Sequence, residues 1–169
     1  MKDEFAEAQV RQRLKIEARI ISELVEMQGF LRPTVVAELP DGKHAMLLVE
    51  VDEAKQEEWK RVVRYSLEFM ALSGARYLML FCEAWQVMAL DATGAQAVDR
   101  WKAEKGTLAE FPGRREVVTI TVGCPAETVS GVMEMHREDG RVRVGRLEVE
   151  QPTKEKRNRF FDELPWVRS

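Results

Sequence analysis

Three observations predict an α+β fold with a mostly antiparallel sheet of about six strands. Two strand pairs are joined by tight turn signals, Pro40-Asp41-Gly42-Lys43 and Asp139-Gly140. Two long segments, 5–27 and 53–73, carry apolar residues at helical spacing. The element order needs few crossover connections. Two main helices are expected on one face of the sheet. The chain is expected to form one domain over 1–169, with 151–169 as a docking tail.

The first helix runs from Phe5 to about Met27. Val10, Leu14, Ala18, Ile21 and Val25 make one apolar row, and Ile16, Ile20, Leu24 and Met27 make an adjoining one. A stripe this wide covers a sheet on one side and meets a second subunit on the other. Gly29 supplies a C-terminal stop, and Pro33 prevents continuation. Thr34 to Leu39 and His44 to Val51 follow as hairpin strands. The unbroken run Met46-Leu47-Leu48-Val49 predicts a central strand covered on both faces. Asp52 is placed to cap a helix over 53–73. Its inner face is read as Trp59, Val62, Val63, Leu67 and Met70, and Gly74 ends it.

Arg76 to Phe81 is a strongly apolar strand that continues through Glu83 and Trp85 towards Leu90, with a bend. Between Asp91 and Gly113 the pattern is weakest. Thr93-Gly94 opens a short helix carrying Val98 and Trp101, and Gly106, Pro112 and Gly113 mark loops. Arg115 to Val122 alternates with β-branched residues and reads as a strand. Ser130 to Arg137 and Arg141 to Glu150 form the second hairpin. A charged segment follows Pro152, and Phe160, Phe161, Leu164 and Trp166 supply the apolar contacts of the tail.

Composition narrows the function classes. The chain has 169 residues, 45% of them hydrophobic, and a net charge of −3. A near-neutral balance argues against broad nucleic-acid binding, and the hydrophobic content argues against disorder. The N-terminus begins with acids and lacks the apolar core of a secretory signal. The longest strongly apolar run, Tyr77 to Cys82, is far too short for a membrane span. Cys82 and Cys124 are the only cysteines, distant and unpaired by spacing, as expected of buried thiols in a reducing cytoplasm.

Little chemistry is encoded in local motifs. His44 and His136 are the only histidines, and no cysteine–histidine cluster accompanies them, so no metal site and no cofactor are expected. Nucleophile elbows and glycine-rich phosphate loops are absent. From Glu38 to Glu58 seven acids stand against Lys43 and Lys55. Glu38, Glu50 and Asp52 are the candidate catalytic residues of a metal-dependent nuclease or phosphodiesterase, because carboxylate oxygens suit a hard divalent cation. The helix–hairpin–helix order around them loosely resembles the core of restriction-endonuclease-like nucleases. The Glu-x-Lys position of that family reads Glu50-Val51-Asp52, without its lysine. The architectural alternative is that Asp52 caps the helix and the other acids are solvated.

A second constellation comprises Glu83, Trp85, Arg115 and Arg137. Glu83 interrupts an apolar strand and needs a partner if buried, which Arg115 or Arg137 can supply through a bidentate fork. The functional version is an anion pocket walled by Trp85. The architectural version is an ion pair that fixes strand register. Lys154, Lys156, Arg157 and Arg159 form a small basic stretch, read as the solvated face of a docking segment.

The succession Glu83-Ala84-Trp85, then Pro112 to Arg115-Glu116-Val117, then Arg137, then Leu164-Pro165, resembles a group of small proteins of bacteria and their phages. They share an EAW-type strand end and a P-x-x-R-x-E-like strand start. The resemblance implies one integrated domain and brings no activity with it. Together these readings predict a cytoplasmic, non-catalytic protein-association module. It is expected to form a homodimer and meet an unidentified protein partner, with no role for membrane or nucleic acid.

Overall fold

The computed structural model describes residues 4–88, 91–150 and 160–166. Helix α1 spans Glu4–Gln28, and strands β1 (Thr34–Glu38) and β2 (His44–Leu48) form the first hairpin. A 3-10 turn at Glu53–Lys55 leads into α2 (Gln56–Leu72). Then come β3 (Tyr77–Gln86), α3 (Ala92–Lys105), β4 (Arg115–Gly123), β5 (Thr128–Glu138) and β6 (Arg141–Val149). The six strands form one sheet in the order β2-β1-β3-β4-β5-β6, every neighbouring pair antiparallel. The class is therefore α+β, as its two hairpins predict.

Helix α1 buries the row read from the sequence: Val10, Leu14, Ala18, Ile21 and Val25. This row packs over β4, β5 and β6, against Val118, Ile120, Val122 and Met133. Gly29 terminates the helix in the left-handed region, at φ 83°, while its N–H donates to the Val25 carbonyl. The adjoining row behaves differently. Ile16, Ile20 and Met27 stay exposed, and Leu24 is half-covered.

The placement of both main helices on one face is corrected. Met79 and Phe81 of β3 point into the α1 core, whereas Leu78 and Leu80 join Val63, Leu67 and Ala71 of α2. Alternate residues of a strand face opposite sides, so the two helices cover opposite faces. The cause lies in β3 itself, whose consecutive apolar residues demand cover on both sides. Val62, assigned to the inner face of α2, points away from the core and Ala71 takes its place.

The run Met46 to Val49 does not mark a central strand, which is a second correction. β2 is the outermost strand, and Met46 and Leu48 are 68% and 58% exposed. An apolar run reports that cover is wanted. It does not report whether the same chain provides it.

Asp52 does cap, though at the 3-10 turn: its carboxylate accepts from the Ala54 N–H at 3.0 Å. β3 runs straight to Gln86, and Leu90 lies outside the described residues. α3 starts where Asp91 accepts from the Gly94 N–H and stops at left-handed Gly106. None of its residues is buried. Trp101 packs edge-on against Phe111 and donates its indole N–H to the Thr107 carbonyl, closing a small satellite cluster. Phe161 of the C-terminal segment is buried in the α2 core, and Phe160 lies beside Trp59. The stretch Lys154, Lys156, Arg157 and Arg159 falls outside the described residues.

Candidate functional site

Strand register decides which candidate residues meet. On the α1 face, Glu83 pairs across strands with Val118, and Trp85 with Glu116. Arg137, near the end of β5, reaches this group from the same side. Its guanidinium grips Glu116 in a fork, with contacts of 2.7 and 2.8 Å, and donates to the Gly29 carbonyl at 2.8 Å. It stands 4.0 Å from Glu83, whose carboxylate accepts from the Leu31 N–H. The cluster therefore ties the C-terminal end of α1 and the link into β1 down onto β3, β4 and β5. Burial is the largest influence on Glu83 and pushes its carboxyl above the ordinary range. The Leu31 N–H opposes this, Glu116 adds to it and Arg137 opposes it.

Arg115 belongs elsewhere. It pairs with Gln86 across the strands and lies on the α2 face. There it donates to Gln86 at 2.8 Å and to Glu148 at 2.9 Å, with Glu134 at 3.4 Å. The hydrogen bonds from Arg115 are the main cause holding the Glu148 carboxyl below its usual range. Trp85 meets neither candidate arginine in a ring contact. The Arg114 guanidinium lies over it, 5.0 Å from the ring centre.

The structure thus brings together Glu83, Glu116 and Arg137, with Trp85 alongside, and separates Arg115 from them by the thickness of the sheet. The bidentate reach of Arg137 was anticipated, but toward Glu83. Its fork goes to Glu116, which the sequence placed next to the wrong arginine. Glu134 and Glu148 carried no individual signal, because they become partners of Arg115 only once β5 and β6 are in register. Both guanidinium groups are held by carboxylates, an arrangement suited to fixing strands and ill suited to receiving an anion.

The acidic candidates do not converge. Glu38 pairs with His44 across the closed end of the hairpin and forms an ion pair with Arg13 at 2.9 Å. Glu50 and Asp52 follow the opposite end of β2, six or more residues along, which is about 20 Å away. Asp52 is occupied in its cap, and Glu50 is exposed. Among the described residues no three His, Cys, Asp or Glu side chains are grouped to hold a metal ion. Both cysteines are free thiols, and burial pushes the Cys82 thiol up.

The concavities among the described residues include two at the surface. One, of about 370 Å³, lies beside α1 between Gln9, Gln12, Arg13, Ile16 and Tyr77. The other, of about 590 Å³, surrounds the tip of the β5–β6 hairpin at His136, Asp139 and Arg143. None of the seven candidate residues lines either one.

Among the described residues no helix is long and apolar enough to cross a membrane. No family model matches the chain, no curated protein matches it, and no solved structure matches it.

Proposed function

We propose that this chain is a non-catalytic cytoplasmic protein-association module that works as a homo-oligomer and meets a further protein partner. The observation that supports this reading is apolar surface left in rows on three elements. Helix α2 shows it most clearly. Val62, Tyr65, Phe69 and Leu72 run along its outer side at heptad-like spacing, directly opposite the buried Val63, Leu67 and Ala71. Phe69 is 71% exposed. A helix that is apolar on both sides is suited to cover on both sides. Ile16 and Ile20 on α1, and Met46 and Leu48 on β2, repeat the pattern.

The ion pairs support the same reading from the other direction. Glu83, Glu116, Arg115 and Arg137 are engaged with one another or with neighbouring strands, in architecture rather than in turnover. A nuclease built on Glu38, Glu50 and Asp52 finds no comparable support, since those acids stand at two ends of one hairpin. The likeness to small bacterial and phage proteins rests on the Glu83-Ala84-Trp85 and Pro112 to Glu116 motifs and adds no activity. Sedimentation equilibrium over a wide concentration range tests the association reading. A mass above that of one chain is expected, and a strict monomer contradicts it.

A further inference from the structure

We infer that the homotypic contact is made by β2, which pairs antiparallel with β2 of a second copy about a twofold axis at Met46. This deepens the association reading and rests on it. The hydrogen-bond phase of the first hairpin sets which backbone groups of β2 face outward. The Val49 N–H donates to Pro33, and the Leu39 N–H to Lys43. Position 49 therefore faces 33 in a bonded pair, and 43 faces 39. Bonded pairs alternate along an antiparallel ladder. The bonding groups of Ala45 and Leu47 thus turn toward β1, and those of His44, Met46 and Leu48 turn outward, away from the sheet.

Those three outward residues form a self-complementary set. Antiparallel pairing centred on Met46 places His44 opposite Leu48 of the second copy and Met46 opposite its twin. All three pairs are then of the bonded type, giving about six backbone hydrogen bonds. All three side chains lie on the α1 side of the sheet, in register with Glu38, Val36 and Thr34. On that side α1 covers β4, β5 and β6 and reaches the hairpin through Arg13 at Glu38 and His44, while Met46 and Leu48 stay exposed. Met46 and Leu48, exposed in one copy, would cover their counterparts in the other.

Charge also matches. The turn end of the strand carries Lys43, paired locally with Asp41, while the His44 Nε2 accepts from the Arg13 guanidinium at 3.1 Å. The other end runs into Glu50, which has no ion-pair partner within the chain among the described residues. Twofold pairing brings Glu50 of one copy to the turn end of the other, beside the cationic Lys43 and with the His44 ring as its same-face diagonal neighbour. The opposite edge of the sheet provides the contrast. β6 exposes Arg141, Arg143 and Arg146 and breaks register against β5 between Met133 and Met135. Charges and a bulge are the usual defences of an edge strand. Neither occurs within β2, nor does proline.

The test uses the full chain and two variants of one position. Met46→Lys puts a charge at the twofold, and Met46→Cys puts two thiols at a Cα spacing of about 5.5 Å, within disulfide range. The wild type is expected to sediment as a dimer. Met46→Lys, with circular dichroism showing an unchanged fold, raises the dissociation constant by about tenfold or more. Met46→Cys forms a covalent dimer under mild oxidation that the wild type, with Cys82 and Cys124 intact, does not form. A wild-type dimer that ignores Met46→Lys, or a Met46→Cys dimer that does not cross-link, overturns the β2 seam and leaves the association reading standing. A wild-type monomer at every concentration overturns both. Should Met46→Lys fail to fold, the cross-linking result decides alone.

Discussion

Burial opposes the charge of Glu83, and its titration gives a direct prediction. Its carboxyl is held above the ordinary range, so in the folded chain it keeps its proton to higher pH than in the unfolded chain. Stability from such a group is complete below the unfolded value, about 4.3, and is lost as pH rises through the folded one. Glu148, held low, acts in the opposite sense: its contribution is present above the unfolded value and fades as pH falls. Above about pH 5 the Glu148 effect is constant, so a difference between wild type and a Glu83 variant that grows with pH there comes from Glu83. Glu83→Gln imitates the protonated side chain and still accepts from Leu31. Its melting temperature should match the wild type near pH 4.5 and exceed it near pH 7. Parallel curves across that range, measured by circular dichroism, would refute the account. That Glu83 needed a partner was legible in the sequence, since an acid interrupts an apolar strand there. Which arginine supplied it was not, because Arg115 and Arg137 differ in the face they occupy, and the face follows from register.

At the scale of elements, periodicity is read most reliably where one chain satisfies it. The buried row of α1 agrees with its sequence pattern because β4, β5 and β6 lie beneath it. The pattern fails at β2 and at Val62 of α2, where the apolar residues face outward and no element of the described chain covers them. The outer row of α2 therefore gives a separable prediction. Tyr65→Glu with Phe69→Glu should leave the melting temperature within a few degrees of wild type, since both side chains are exposed. It should also leave the dimer mass unchanged, because that row stands apart from β2. Loss of the dimer would move the homotypic contact to α2. The C-terminal segment offers another test. A Cβ on Gly123 would lie 2.7 Å from the Phe161 ring. Gly123→Ala should therefore lift residues 160–166 from the α2 core and cost about 1–3 kcal/mol. Faster proteolysis near Phe160, together with a lower melting temperature, would show it. An unchanged protein would mean that the segment contributes little to the fold.

For the molecule as a whole, the class, both hairpins and the two long helices were legible because local turn chemistry and periodicity specify them. The strand order and the split of the helices between two faces were not. They depend on β3 being central, and only its consecutive apolar residues hinted at that. The same ambiguity explains why β2 reads as an interior strand: an apolar run has the same composition whether it is covered or, like Met46 and Leu48, exposed. On the proposed reading, the apolar rows on β2, α1 and α2 are there to be covered by other chains, while the charged residues serve architecture. Sedimentation equilibrium of the unmodified protein, followed to about 1 mM, tests it most directly. A concentration-dependent rise to twice the 19.5 kDa mass of one chain is expected. A constant mass of 19.5 kDa at every concentration would contradict it.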